Sequence, residues 1–126
     1  MIVRSAEEVA AAGHFVDGGD WTSARYLTRA DRVPYSLNDT RVKAGTTNVY
    51  EYANHVEACL CIEGTGTVEA LATGEVRELR PGVMYCLDRH DRHRVVAQTD
   101  LRLICVFTPA LEGTENHDAS GAYAAG

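Results

Sequence analysis

An all-β barrel or sandwich with one short N-terminal helix is the fold this sequence predicts, and three observations carry that prediction. After Gly18-Gly19 the apolar residues fall into short runs with no sustained helical period. Glycine, proline and small polar residues interrupt those runs about every ten residues, the spacing of antiparallel strands and turns. The chain is 126 residues long, which suits one domain with one core.

The helix comes first. Residues 5–12 run Ser-Ala-Glu-Glu-Val-Ala-Ala-Ala, with Ser5 as N-cap, Glu8 completing a capping box and Gly13 as the stop. Strands are expected at 21–28, 33–43, 48–52, 57–62, 66–72, 75–79, 83–87, 92–97 and 101–107. Their breakers are Ala44-Gly45, Gly64-Thr65-Gly66, Thr73-Gly74, Pro81-Gly82 and Thr99-Asp100. One domain is expected over 1–126, with 115–126 as a C-terminal lid or tail. A barrel of this size holds a small ligand in its mouth, so polar residues inside apolar strands are the ones to follow.

Charge and composition exclude some functions. The net charge of −6 and the scattered Lys and Arg residues argue against a nucleic-acid partner. No apolar run approaches the ~20 residues of a membrane span, so no membrane partner is expected. The start, Met-Ile-Val-Arg-Ser-Ala-Glu-Glu, lacks the apolar core of a secretory signal, and a cytoplasmic location is the expectation. Cys59, Cys61, Cys86 and Cys105 contain no Cys-x-x-Cys pair and all lie in apolar runs, where reduced core thiols are expected.

A metal-binding constellation emerges around Glu57. Glu57 precedes Gly64, Gly82 precedes the segment Asp88-Arg89-His90, and His93 follows. These gaps resemble the two signature motifs of the cupin superfamily, small jelly-roll (double-stranded β-helix) barrels. Asp88 and His90 stand where the second motif usually has proline and glycine. Tyr50 and Tyr52 stand where a His-x-His pair is usual. Glu57 and His93 survive as candidate ligands, and Tyr85, on the strand that follows Gly82, is the candidate third. Carboxylate, imidazole and phenolate donors suit a first-row divalent metal, iron(II) foremost and zinc as the alternative. The cluster of His90 and Asp91 reads as a solvated turn. His55 shares a strand face with Glu57 and reads equally as a group orienting that carboxylate or as a structural histidine.

Along its length the chain resembles one cupin family, ectoine synthase. The resemblance rests on Met1-Ile-Val-Arg4, Trp21-x-Ser23-x-Arg25, Thr40 with Ala44-Gly45-Thr46, and Tyr52-Ala-Asn-His55-Val-Glu57. It continues through Pro81-Gly82-x-Met84-Tyr85, His90-Asp91-Arg92-His93, Cys105-Val-Phe107 and Gly113-Thr-Glu115-Asn-His117-Asp118. The resemblance implies a dehydrating ring closure of N-γ-acetyl-L-2,4-diaminobutyrate to the cyclic amidine ectoine, and a homodimer. It implies Glu57, Tyr85 and His93 as metal ligands. The substrate would be held by Trp21, Ser23, Arg25, Thr40, Tyr52, Cys105, Phe107, Glu115 and His117, with Arg25 on its carboxylate. Thr40, Tyr52 and His55 are the candidates for catalysis. Departures are Asn38 in place of a common histidine, Thr108-Pro109-Ala110 in place of Asn-Pro-Pro, and Tyr123-Ala-Ala in place of Tyr-Pro-Leu. They keep open a related cyclic amidine, from another N-acyl diamino acid or a glutamine-like substrate, and a non-catalytic small-molecule-binding cupin.

Overall fold

Alternation along the strands sorts the side chains into an inner and an outer set, and the inner set closes a barrel between two antiparallel sheets. The computed structural model describes residues 1–117, 121 and 123. The elements are α1 (Ala6–Ala11), β1 (Phe15–Asp17), β2 (Trp21–Leu27), a 3-10 turn (Arg29–Asp31), β3 (Ser36–Val42), β4 (Thr47–Tyr50), β5 (Val56–Glu63), β6 (Gly66–Ala70), β7 (Glu75–Leu79), β8 (Met84–Leu87), β9 (His93–Ala97) and β10 (Leu101–Thr108). One sheet has six strands in the order β1-β2-β3-β10-β5-β8, and the other has four in the order β4-β9-β6-β7. The all-β jelly-roll with a short leading helix is therefore present.

Helix α1 forms as its sequence dictates. The Ser5 hydroxyl accepts from the Glu8 amide at 3.1 Å, and the Glu8 carboxylate accepts from the Ser5 amide at 3.3 Å. Those two bonds satisfy donors that a helix start leaves orphaned. Gly13 then takes φ +79°, the left-handed stop. Only Val9 of this helix is buried, so α1 is an outrigger on the barrel.

Register sets the inner wall. In β10 the inward row is Leu101, Leu103, Cys105 and Phe107, all 1–3% exposed. Across to β5, Phe107 pairs with Glu57, Cys105 with Cys59 and Leu103 with Cys61. The wall thus grades from an apolar end, with Leu79, Val95, Ala97 and Leu101, to a polar end at Glu57 and His93. Gly64 makes the turn after β5 possible: its φ is +89°, and a Cβ there would overlap the Asp100 carbonyl oxygen.

Several expected boundaries shift for local reasons. Residues 33–35 are not strand, because Pro34 offers no amide to the ladder. Tyr52 lies beyond the end of β4, where Ala53-Asn54 turns the chain, and residues 71–74 form the turn into β7. Strand β1 was not expected, since three residues are too few for alternation to register. Cys86 is exposed on β8, which corrects the expectation of four core thiols; Cys59, Cys61 and Cys105 are buried. Of the expected lid over 115–126, residues 118–120, 122 and 124–126 lie outside the described residues.

Candidate active site

The polar end of the barrel encloses a cavity of about 30 Å³, room for little more than a water. Strands β2 and β3 contribute Trp21, Ser23, Asn38 and Thr40; β5 and β10 contribute Glu57, Cys59, Cys105 and Phe107; Tyr52, Tyr85, His117 and Tyr123 complete it with Tyr50 and apolar residues. The two-residue period of the strands explains most of this grouping, because Trp21/Ser23, Asn38/Thr40, Glu57/Cys59 and Cys105/Phe107 are each i, i+2 pairs.

Glu57 is 6% exposed, and burial raises its carboxyl to about 7, only partly offset by the neighbouring Cys59 and Cys105 thiols. His93 is 1% exposed; its Nδ1 lies 3.0 Å from the Asp91 carbonyl oxygen, and its Nε2 has no partner. Burial depresses the His93 pKa, which keeps the ring neutral and able to donate a lone pair. The His93 ring lies 6.1 Å from that of Tyr85 and 5.7 Å from that of Tyr50, its partner in the β4–β9 register. A buried, unpaired imidazole nitrogen near a half-buried phenol, at the same polar end of the barrel as a buried carboxylate, is what a metal site leaves when its donors face no protein partner. The donor set Glu57, Tyr85 and His93 fits a first-row divalent cation. A second donor trio is also present: the ligand atoms of Glu57, Cys59 and Cys105 lie within 4.8 Å of one another.

The mouth is closed by the C-terminal segment. The His117 and Tyr123 rings stack at 4.5 Å with 10° between their planes. The Tyr52 hydroxyl meets His117 Nε2 at 2.6 Å, and Trp21 packs edge-on against the same imidazole at 4.8 Å. Arg25, fully buried, holds this segment from below. Its Nη1 donates to the Glu115 carbonyl oxygen at 2.5 Å and lies 3.5 Å from the Glu115 carboxylate. Its Nη2 donates to the Tyr123 hydroxyl at 3.2 Å. Burial pushes the Glu115 carboxyl up, but the amides of Gly113 and Glu112, reinforced by Arg25, outweigh it and hold the group ionised.

The structure therefore gathers Trp21, Ser23, Thr40, Tyr52, Glu57, Tyr85, Cys105, Phe107 and His117 around the cavity and places Arg25, His55, His93 and Glu115 just behind it. Arg25 is occupied by Glu115 and Tyr123, where a substrate carboxylate was expected. His55 stands behind Phe107 and Tyr123, with ring centroids 6.0 and 6.5 Å away; burial lowers its pKa, and its Nδ1 has no partner. His90, read as a solvated turn residue, instead pins the loop: its Nδ1 lies 2.8 Å from the Tyr52 carbonyl oxygen and 3.0 Å from that of His55. Sequence reasoning missed Asn38, whose buried Oδ1 has no partner, together with Cys59 and Tyr123 as cavity residues. The alternation Asn38/Thr40 and Glu57/Cys59 could have found the first two; nothing in the small-residue tail singled out Tyr123.

Comparison with known proteins identifies the family. The ectoine synthase family model matches residues 1–126. The L-ectoine synthase of Oceanobacillus iheyensis is 49% identical over 123 residues, covering 98% of this chain and 96% of the relative. That of Sphingopyxis alaskensis is 49% identical, covering 99% and 91%. The crystal structure of ectoine synthase from P. lautus superposes with a TM-score of 0.85 at 44% identity, over 90% of this chain and 81% of that one. KdgF from Halomonas sp., at 21% identity and a TM-score of 0.64, shares the fold. Among the described residues no helix is long and apolar enough to cross a membrane. With a whole-chain family match and relatives near half identity, the chain belongs to the ectoine synthase family.

Proposed function

We propose that the chain is an L-ectoine synthase, closing N-γ-acetyl-L-2,4-diaminobutyrate to ectoine with loss of one water. The observation that carries the reading is buried Glu57 and His93 with half-buried Tyr85 at the end of a cavity lined by Ser23, Asn38, Thr40 and Tyr52. The free amine attacks the acetamide carbonyl carbon, the carbonyl π pair moves to oxygen, and that oxygen later departs as water. An amide carbonyl resists attack; Glu57, Tyr85 and His93 would hold a divalent metal, iron(II) or zinc, which when bound would supply the Lewis acidity that polarises it.

The chain's own residues do the rest. Asn38 Oδ1, unpaired and buried, accepts an N–H of the attacking amine and aims its lone pair. Ser23 and Thr40, their hydroxyls 3.5 Å apart, form a polar pair for the substrate carboxylate. Arg25 completes that carboxylate site once Glu115 yields its place. Tyr52, bonded to His117, carries a proton between the cavity and the mouth and protonates the departing oxygen. His55, behind Phe107, positions these rings rather than touching substrate. Trp21, Cys105 and Phe107 fill the wall around the acetyl and methylene groups. Closure by His117 and Tyr123 excludes the bulk water that would reverse a dehydration and protonate the amine.

We propose a homodimer on surface features, and a reducing, cytoplasmic setting on the free thiols of Cys59, Cys61, Cys86 and Cys105. Strand β8 is an unpaired sheet edge, and its Met84, paired with Leu60 of β5, exposes 58% of its surface. Light scattering should return twice the 13.7 kDa chain mass. The decisive experiment incubates anaerobically purified protein with iron(II) and N-γ-acetyl-diaminobutyrate and follows ectoine by chromatography. Absence of product with every divalent metal, or full activity in Glu57→Ala, would sink the proposal.

A further inference from the structure

Strand geometry creates a second donor set next to the first. Cys59 lies two residues beyond Glu57 on the inner face of β5, and the β5–β10 register sets Cys105 directly opposite Cys59. Their sulfurs are 3.2 Å apart, with the two residues 1% and 2% exposed. With the Glu57 carboxylate they form a trio whose ligand atoms all lie within 4.8 Å, and all three residues line the cavity. Neither thiol takes part in a bond-making or proton-transfer step of the ring closure described above, Cys105 serving there only as wall. Two sulfurs and one carboxylate are a softer donor set than the carboxylate, phenolate and imidazole of the neighbouring trio.

We infer that Glu57, Cys59 and Cys105 form a second cation site, selective for a thiophilic divalent ion, that shares Glu57 with the harder donor set. Binding makes two metal–sulfur bonds and one metal–oxygen bond; the two thiol protons leave to water, joined below about pH 7 by the Glu57 proton, and no electron changes hands. Tetrahedral coordination with metal–sulfur bonds of about 2.3 Å sets the sulfurs about 3.8 Å apart. The thiols need to open by only roughly half an ångström, within reach of small χ1 rotations. The fourth position faces the cavity and takes water. A thiophilic ion seated there occupies the carboxylate that the catalytic metal needs, so cadmium excludes that metal. That exclusion rests on the ectoine synthase reading; the site itself does not.

The test titrates cadmium chloride into metal-free protein, kept reduced by a phosphine so that no added thiol competes. At pH 8, where Glu57 is ionised, the expected result is an ultraviolet thiolate-to-cadmium charge-transfer band that saturates at one ion per chain, with two protons released. Cys59→Ala and Cys105→Ser should each weaken the band's apparent affinity at least tenfold. Glu57→Gln, which keeps shape and both sulfurs, should weaken it similarly, and His93→Gln should leave it intact. No band in the unaltered protein, or a band that survives in both cysteine variants and so traces to exposed Cys86, would overturn the proposal. Loss of the band in a folded His93→Gln variant would do the same. The band is read without substrate, iron or turnover, so a failure to make ectoine leaves this site standing.

Discussion

Glu57→Gln in metal-free protein should make the chain more heat-stable at pH 8 than at pH 5, relative to the unaltered protein. Burial lifts the Glu57 carboxyl from 4.5 to about 7, so the folded state holds this proton more tightly than the unfolded one. A group of that kind contributes its full stability below the unfolded value and loses it as pH rises through the folded value. The window is therefore pH 4.5 to about 7. The loss is about 3 kcal/mol across that window, at about 1.4 kcal/mol per unit. For a domain of this size it amounts to roughly 10 °C in melting temperature. Glutamine cannot ionise, so its melting temperature minus that of the unaltered protein should grow by roughly that amount from pH 5 to pH 8. His55 and His93, held below their ordinary values, tilt both proteins equally in the opposite sense and cancel in the difference. Calorimetry after exhaustive chelation reads the effect, and added iron(II) should restore the unaltered protein at pH 8 while leaving the variant unchanged. A difference that stays constant with pH would refute the reasoning, because it would mean that Glu57 is solvated as an ordinary carboxylate.

Other perturbations reach different links of the structure. Gly64→Ala should cost at least about 3 kcal/mol by chemical denaturation, since it combines a left-handed backbone with overlap on the Asp100 carbonyl. His117→Ala removes both the bond to Tyr52 and the stack on Tyr123; kcat should fall at least tenfold while the melting temperature drops by only a few degrees, read by product formation and calorimetry. Ser5→Ala breaks the capping box and should cost about 1 kcal/mol with activity unchanged, because α1 buries only Val9. Chelation should abolish turnover, and iron(II) should return it within one equivalent.

The barrel class was legible because alternation and turn residues repeat along the chain, and the helix start because Ser5 and Glu8 are complete in themselves. The strand register was not legible, and register is what sets Cys105 opposite Cys59 and Phe107 opposite Glu57. Half of the cavity followed from two-residue steps away from recognisable positions. What escaped were contacts between distant segments. Arg25 read as a free cation awaiting an anion, yet the fold supplies Glu115 and Tyr123 from ninety or more positions away. His90 read as solvated because its partners are backbone carbonyls, which no side-chain pattern announces.

The ion pair between Arg25 and Glu115 has a consequence for the conditions this protein can work in. The Arg25 side chain is 0% and that of Glu115 11% exposed, whereas the surface pair Arg77–Glu75 is 75% and 62% exposed. In molar salt the screening length falls to about 3 Å, and exposed pairs lose nearly all their attraction. Mobile ions scarcely reach the space around Arg25, so the pair that holds the resting barrel shut, until a substrate carboxylate displaces Glu115, keeps its strength as ionic strength rises. The surface electrostatics of this acidic chain fade in brine, and the closing of its reaction chamber does not.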